Sequence, residues 1–371
     1  MPFPSQDNDG GNIRDPALPR ALLVYGARKS GTTLVQSMLD GGAYLPMVPG
    51  ELKLKYILRK RSITSRSRTL AHWYIEGGRS IFPVETKSAA GDEETDPFTG
   101  LTRGQAGQVI DLGKYSAGLA AIPDLGDPQL AEIIRQDVRA FMDAMKVDCR
   151  AARFWGSKEA GSNPKGILGI FRECFPDGMI VLVLREPEFT VRSIILNNSR
   201  RGKRLGMRRV LNEFRDAQRV LNEGYRETLE GRVVTVTYEE LTENPEMESK
   251  LLCQRLGIPF DEVFTKPTTL GQEIVVSTSS RQTTEVFRQV KDWRKGLSRR
   301  QVLMLRMCRI FGPAVYRLRG KRMVSYSTLR QLLATQAAAR TLANGTSNSP
   351  ENFPASRSSC NTQGNASSSA L

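Results

Sequence analysis

The chain of 371 residues carries 54 Lys and Arg against 39 Asp and Glu, a net charge of +15, and 39% of it is hydrophobic. This apolar content supports a substantial core and excludes wholesale disorder, while the length fits two or three domains or one large α/β domain. No apolar run approaches the ~18 residues that mark a transmembrane helix. The positive charge suggests an anionic partner without identifying it.

The cysteines and the histidine exclude several kinds of chemistry. Five cysteines are widely spaced and form no C-x-x-C pair, which argues against a disulfide framework and against a zinc site. A single histidine, His72, removes most histidine-based metal sites and catalytic triads. We therefore predict no metal.

The two ends of the chain differ from its middle. Residues 1–19 form a polar lead without the basic and apolar regions of a signal peptide, so we expect a cytoplasmic protein. Residues 331–371 are predicted to be a disordered tail rich in Ser, Thr and Asn, because few large apolar side chains offset its ordering entropy. Residues 20–330 are predicted to form the folded domain.

Within that domain, strand and helix patterns alternate. The predicted strands are 21–25, 179–184 and 233–237, and the predicted helices are 32–40, 129–146, 165–175, 188–200, 207–229, 246–256 and 298–311. Such alternation predicts a three-layer α/β fold with a central, mainly parallel sheet flanked by helices. Residues about 85–128 break the rhythm, and we interpret them as an insertion that shapes an acceptor site.

The sharpest motif is a loop between the first strand and the first helix, residues 25–33 (YGARKSGTT). Its glycines let backbone amides converge, and the helix N-terminus adds positive dipole, as in a phosphate cradle. Thr32 stands where a nucleoside-triphosphate loop has its lysine, and Lys29 lies earlier. The loop therefore suits a nucleotide with one 5′-phosphate-like group; the alternative is a turn whose glycines serve packing alone.

A second motif follows the apolar strand 179–184. Arg185 ends this strand, where a magnesium-dependent NTPase would have an aspartate, and Ser193 comes eight residues later in the next helix. Ligands of open parallel sheets bind at the carboxyl ends of the strands, so Arg185 and Ser193 could hold another phosphate. The alternative is a surface arginine beside a helical serine.

Together these motifs resemble the sulfotransferases that use 3′-phosphoadenosine 5′-phosphosulfate (PAPS). The resemblance covers residues 20–315 and implies a P-loop NTPase-like sulfotransferase fold. It implies a 5′-phosphosulfate loop made by Arg28, Lys29, Ser30, Gly31, Thr32 and Thr33. It also implies a 3′-phosphate motif of Arg185 and Ser193, and a nucleotide contact by Tyr238 in 236–241 (VTYEEL), for which packing alone is the alternative. Residues 155–158 (WGSK) and 292–294 (DWR) resemble two further family segments.

The likeness is greatest to the protein-tyrosine and bacterial carbohydrate-type branch, through residues 30–40. In that branch a glutamate after the first helix is the base, which implies this role for Glu51, with His72 as the competing base. Lys29 and Arg28 would meet the phosphosulfate, and Lys158 would reach the bridging or a sulfuryl oxygen. The sequence departs from the branch where serine follows lysine at 29–30 and where Lys158 lacks a following proline. No N-terminal anchor is apparent, which points to a soluble, bacterial-type enzyme.

The implied function is therefore in-line transfer of a sulfuryl group from PAPS to a hydroxyl acceptor, without a metal. The acceptor stays open between a sugar, a peptide tyrosine and a small alcohol, and so does the oligomeric state. One alternative is a P-loop kinase-like phosphotransferase, and another is a member that binds nucleotide without catalysis. Basic clusters at 200–209 and 288–322 raise a third, nucleic-acid binding, but they lack interleaved stacking aromatics, so nucleic acid is not the expected partner.

Overall fold

The computed structural model describes residues 18–41, 44–54, 108–122, 130–146, 151–273, 276–277, 282–283, 292–318, 320 and 322–345. His72, almost all of the N-terminal lead, much of the 85–128 insertion and the tail after residue 345 lie outside the described residues. The predictions made for them are therefore not tested by the structure.

Five strands form one parallel sheet. They are β1 (Arg20–Gly26), β2 (Met47–Glu51), β3 (Phe154–Ala160), β4 (Met179–Leu184) and β5 (Val234–Thr237). Their order in the sheet is β2-β3-β1-β4-β5, and every neighbouring pair is parallel. β2 and β3 therefore lie on one side of β1, and β4 and β5, which come later in the chain, lie on the other. In such a sheet, ligands bind beside the strand at which the order reverses, at the carboxyl ends.

Helices cover both faces of this sheet. They are α1 (Thr32–Leu39), α2 (Leu112–Ala120), α3 (Leu130–Ala144), α4 (Pro164–Cys174), α5 (Pro187–Arg200), α6 (Met207–Leu229), α7 (Tyr238–Glu243), α8 (Pro245–Leu256), α9 (Arg299–Leu318) and α10 (Tyr326–Gly345). A 3₁₀ turn at Glu262–Thr265 and two hairpins of two-residue strands, Thr268–Thr269 with Gln272–Glu273 and Val276–Ser277 with Gln282–Thr283, follow α8.

The central strands are buried on both faces, as their continuous apolar sequences predict. Leu23 and Tyr25 of β1 pack into the core on the side of α3, α4 and α6. Leu22 and Val24 pack on the opposite side with residues of α1 and α8. The predicted three-layer α/β fold is thus confirmed. The three predicted strands and seven predicted helices are all present, with bounds that differ by a few residues at most ends.

Two strands, β2 and β3, were not predicted from the sequence. Both are short and mix polar with apolar residues (MVPGE and FWGSKEA), so neither shows alternation or an apolar run. Their polar groups are nevertheless buried with partners: Ser157 Oγ donates to the Gly50 carbonyl at 3.0 Å, and Glu159 accepts from the Leu54 N–H at 3.0 Å. Cross-strand partners far apart in sequence therefore stabilise segments that look like loops.

The predicted start of the disordered tail at residue 331 is wrong. Residues 331–345 belong to α10, although its sequence is rich in small residues. Leu329 is fully buried in the main core, and Leu333 packs against the same core. Burial of this apolar edge supplies the free energy that the composition did not suggest. Part of the 85–128 insertion is likewise helical, as α2 with Asp111 as its N-cap.

None of the helices in the described part of the chain has the length and apolar character needed to cross a bilayer.

The burial of Leu329 predicts that α10 is part of the cooperative fold. Leu329→Ala should lower the free energy of unfolding by about 2–5 kcal/mol, because it leaves a cavity in the core. Gln331→Ala, two residues away on the exposed side, should change it by less than about 0.5 kcal/mol. Urea unfolding followed by circular dichroism measures both. Equal, small effects would contradict the packing of α10.

Candidate active site

The carboxyl ends of the five strands meet at one edge of the sheet. The loop with Arg28 and Lys29 follows β1, and Arg185 and Tyr238 follow β4 and β5. Glu51 ends β2, and Lys158 lies near the end of β3. The parallel topology therefore gathers residues that are far apart in sequence around the loop between β1 and α1.

The loop has a backbone that only glycine permits at two positions. A side chain at Gly26 would collide with Ser30 Oγ and with the Val183 carbonyl of the neighbouring strand. Gly31 has a φ of 108° and packs directly against the Tyr238 ring. Lys29 also adopts a left-handed φ, of 64°. These conformations curl the loop tightly over the first turn of α1, whose first N–H groups have no partner within the helix.

Arg185 lies between the loop and Tyr238. Its Nη1 donates to the Lys29 carbonyl at 2.9 Å, and its guanidinium sits 4.1 Å from the centre of the Tyr238 ring. Because Gly31 contacts the same ring, the loop, the end of β4 and the end of β5 form one stack. The hydrogen bond holds the strained Lys29 peptide, and the cation–π contact orients the guanidinium.

Two buried polar atoms of this stack point to a ligand. Within the described part of the chain, neither Ser30 Oγ nor Arg185 Nε has a hydrogen-bond partner, although both atoms are buried. An unsatisfied buried donor costs roughly 1–3 kcal/mol, so native proteins rarely leave one without a role. A hydroxyl and a guanidinium N–H are both donors to anionic oxygens, and α1 aims its positive end at the same loop. The residues present therefore fit a phosphate-like anion.

Positive charge converges on Lys29. Partial burial and then the charges of Arg201, Arg28, Arg200 and Arg185 lower the pKa of this lysine from its ordinary value. A bound anion would reverse this effect and raise the pKa. The charged form of Lys29, which predominates below its lowered pKa, is therefore the form that an anion stabilises. Arg200 and Arg201 belong to the basic cluster whose role the sequence left open.

On the other side of β1, Lys158 and Glu51 are neighbours. Residues 51 and 158 are direct partners in the register of β2 and β3. The Lys158 side chain is buried, and its Nζ donates to Thr33 Oγ1 of α1 at 3.0 Å. A glutamate and a lysine thus occupy adjacent positions on neighbouring strands next to the loop between β1 and α1. A carboxylate can accept a proton, and an ammonium group can stabilise a developing negative charge.

The predicted partner of Arg185, Ser193, is buried on α5. Beside it, Arg192 donates from Nε to the Lys295 carbonyl at 2.7 Å, just beyond the 292–294 segment. Burial and then the nearby charge of Arg185 lower the pKa of Arg192. Arg192, which the sequence analysis did not select, is therefore close to Arg185 and adds a cation on this side of the loop.

An acidic cluster braces this side from behind. Glu239 accepts the Glu186 N–H through Oε1 at 3.3 Å and the Tyr326 hydroxyl of α10 through Oε2. Burial, followed by the charges of Glu188 and Glu239, raises the pKa of Glu186 to about 7. Arg309 of α9 lies 3.8 Å from Glu186 and 4.0 Å from Glu188. The two C-terminal helices thereby hold the residues that flank Arg185 and Tyr238.

A cleft of about 610 Å³ opens next to the loop. Ala27, Arg28 and Glu51 form part of its wall, and residues 160–163 with α4, α5 and α6 form the rest. Its lining mixes apolar residues, such as Ile167 and Ile194, with charged ones. Arg28 and Arg209 both pair with Glu213, at 3.3 and 2.7 Å, and burial raises the pKa of the neighbouring Asp216. This cleft leads to Glu51, away from the stack of Arg185 and Tyr238.

The structure therefore brings the predicted residues together around one loop. Arg28, Lys29, Ser30, Gly31, Thr32 and Thr33 form it, with Arg185 and Tyr238 on one side and Glu51 and Lys158 on the other. Sequence reasoning missed Arg192, Arg200 and Arg201, and the brace from Tyr326 to Glu239. The basic cluster at 200–209 was the signal for two of them, but nothing in the sequence indicated their proximity to Lys29.

Fold and loop together define an α/β protein with a parallel sheet and a glycine-containing loop between β1 and α1. Comparison with known families identifies the particular family: residues 21–262 match the model of the sulfotransferase family. This match spans more than half of the chain, and the chain belongs to that family. The sequence-based identification of a sulfotransferase is confirmed. A search of curated proteins finds none that matches.

Three solved structures of similar fold are compared with this chain. The sulfotransferase domain of the Synechococcus PCC 7002 olefin synthase is 18% identical, with a TM-score of 0.49, over 81% of this chain and 98% of that one. A sulfotransferase from Alicyclobacillus acidocaldarius is 15% identical, with a TM-score of 0.36, over 80% and 96%. Retinol dehydratase in complex with retinol and PAP is 14% identical, with a TM-score of 0.30, over 67% and 62%.

The contact between Gly31 and Tyr238 predicts a sensitive position. Gly31→Ala should destabilise the fold by roughly 1–3 kcal/mol, because alanine at this positive φ is strained and its methyl group displaces the Tyr238 ring. Thermal unfolding of the full chain measures the effect.

Gly169→Ala is the matched control. This glycine lies exposed within α4, with no atom near the place of an added methyl group, so the change should stabilise the fold by about 0.5–1 kcal/mol. The same sign for both variants would contradict the stacked loop.

Proposed function

We propose that the protein transfers a sulfuryl group from PAPS to a hydroxyl acceptor. The observation that carries this proposal is the hydrogen bond from Arg185 to the Lys29 carbonyl, which brings the end of β4 against the loop. The loop residues suit a 5′-phosphosulfate, and the set of Arg185, Arg192 and Ser193 suits a 3′-phosphate. A donor with phosphates at both positions satisfies both sets at once.

The loop residues would hold the phosphosulfate end. Amides at the start of α1, with the hydroxyls of Ser30, Thr32 and Thr33, donate to its oxygens. Lys29 neutralises charge that develops on the leaving 5′-phosphate. Tyr238 supplies a flat apolar surface beside Arg185, and its ring suits stacking on a base.

The pair Glu51 and Lys158 would carry the chemistry. Glu51 accepts the proton of the acceptor hydroxyl as the oxygen forms its bond to sulfur, while the bond from sulfur to the 5′-phosphate oxygen breaks. The products are a sulfate ester, 3′-phosphoadenosine 5′-phosphate (PAP) and a protonated Glu51. Lys158, buried at Thr33, stabilises the sulfuryl oxygens or the bridging oxygen.

The acceptor would enter through the cleft that leads to Glu51. Because its wall carries Arg28, Arg209, Glu213 and Asp216, the cleft favours a polar acceptor with several hydrogen-bonding groups over a flat apolar one. A sugar fits this lining better than the other acceptor classes.

A phosphotransferase is the less favoured function. Thr32 occupies the position at which such an enzyme needs a lysine for the β- and γ-phosphates, and Arg185 follows β4 in place of a magnesium ligand. Lys29 has a left-handed backbone conformation and precedes the start of α1 at Thr32. It would therefore reach a phosphate group from a different position than the lysine of a triphosphate loop, which follows the second glycine.

The donor proposal predicts a preference that depends on Arg185. Isothermal titration calorimetry in EDTA should show that PAP binds the wild-type chain more tightly than 5′-AMP, which lacks the 3′-phosphate. Arg185→Ala should weaken PAP binding by roughly 10–100-fold, because it removes a charged hydrogen bond. It should weaken 5′-AMP binding much less, which separates the 3′-phosphate contact from any disturbance of the loop. An unchanged preference for PAP in the variant would refute this role.

The base proposal predicts a loss of turnover without a loss of binding. Glu51→Gln should reduce kcat with radiolabelled PAPS and a mixture of sugar acceptors by about 10²–10⁴-fold, because glutamine cannot accept the proton. PAP affinity and the melting temperature should not change. Glu243→Gln, on an exposed glutamate at the end of α7, should leave all three measurements unchanged. Full turnover in Glu51→Gln would assign the base elsewhere.

A further inference from the structure

The helix α9 exposes an unusual row of large apolar side chains. They are Leu303, Met307, Ile310, Phe311, Val315 and Leu318, with exposures from 45% to 88%. Their spacing of three, four or one residues puts them on one face of the helix, over a length of about 22 Å. A continuous exposed apolar surface of this kind marks an interaction site.

This face is exposed although α9 is firmly packed on its other side. Leu305 is fully buried in a cluster with Val210 and Phe214 of α6 and Val191 of α5. Arg309, also turned away from the apolar row, lies beside Glu186 and Glu188. The helix is therefore anchored to the domain through one face and presents the other outward.

The charges on α9 have one sign. Residues 299–318 contain five arginines and no aspartate or glutamate. Arg299, Arg300, Arg306 and Arg317 are exposed, and none of them contributes to the contacts that anchor the helix. An apolar stripe bordered by arginines is typical of helices that lie in the plane of a membrane interface.

Other exposed apolar residues do not form such a surface. Among the described residues, the remaining large ones are Met207, Leu211 and Leu229, spread along α6, and Met247 on α8. Neither described cavity involves the outer face of α9. The face is a convex ridge and not a groove, so it needs a partner that adapts its shape to the ridge.

We propose that the outer face of α9 docks on an anionic lipid surface. The apolar row would enter the boundary between headgroups and acyl chains, while the arginines contact anionic headgroups. A second copy of this chain is the weaker occupant, because facing copies of α9 would bring together Arg299, Arg300, Arg306 and Arg317 of both copies, and the helix has no acid to offset them. The proposal is independent of the donor and the acceptor.

Docking would also orient the candidate site. Arg309 connects α9 to the residues that follow Arg185, and the Lys295 carbonyl just before α9 accepts the hydrogen bond from Arg192. The site would therefore stand at a constant height above the lipid.

The test is co-sedimentation of the full chain with lipid vesicles. Vesicles with about one third phosphatidylglycerol should bind the protein at about 0.1 M salt and much less at about 1 M salt, because the arginine contacts are screened. Vesicles of phosphatidylcholine alone should bind it weakly. No binding to the anionic vesicles, or equal binding to both kinds, overturns the proposal.

Paired variants locate the surface. Ile310→Ser combined with Phe311→Ser should weaken partitioning to anionic vesicles by at least about tenfold, since two large side chains lose their burial. Leu229→Ser combined with Met247→Ser removes two equally exposed apolar residues elsewhere and should leave partitioning unchanged. Matching melting temperatures exclude unfolding as the cause, because all four residues are exposed.

Two further results would contradict the proposal. One is undiminished vesicle binding by the variant with serine at 310 and 311. The other is a wild-type dimer in analytical ultracentrifugation that the same variant dissociates, which would make the face an interface between copies.

Discussion

The site depends on the position of Arg185. Its guanidinium donates to the Lys29 carbonyl and lies on the Tyr238 ring, so one side chain joins the ends of β1, β4 and β5. The loop owes its left-handed residues to this contact and to the close approach of Gly31 to the same ring. The Ser30 N–H also donates to the Ala27 carbonyl at 3.0 Å, so Arg185 adds to a turn that the loop closes by itself. The residues that are proposed to bind the anion therefore also support the local fold.

This arrangement concentrates positive charge, and the structure offsets it in two ways. Glu239 and Glu186 lie behind Arg185, held by Tyr326 and Arg309 from the C-terminal helices, and Glu213 neutralises Arg28 and Arg209 in the cleft. Lys29 itself stays surrounded mainly by cations, as its lowered pKa reflects. The proposed anion would balance this charge. The family match at residues 21–262 ends before α9 and α10, so helices outside it support the centre of the site.

Much of the fold follows from local sequence. β4 is apolar throughout, β1 is apolar after Arg20, and α6 keeps its apolar period over 23 residues, so their limits are predictable. β2 and β3 could not be predicted, because their polar residues are satisfied by partners about 100 residues away. The part of α10 after residue 330 was not predicted for a related reason: the few apolar side chains of this helix stabilise it only because Leu329 packs into the core. Composition measures how much can be buried but not where.

The sequence by itself determined the anion loop and its character. Gly26, Gly31, Lys29 and the hydroxyls are consecutive, so their chemistry is local, and Thr32 and Arg185 exclude the usual triphosphate arrangement at their own positions. The tertiary structure decided everything that joins separate segments. It placed Glu51 beside Lys158 through a strand register, brought Arg200 and Arg201 to Lys29, and left the apolar face of α9 exposed. These relations depend on how the elements pack, because distances between remote segments are set by the sheet and its helices and not by any local pattern.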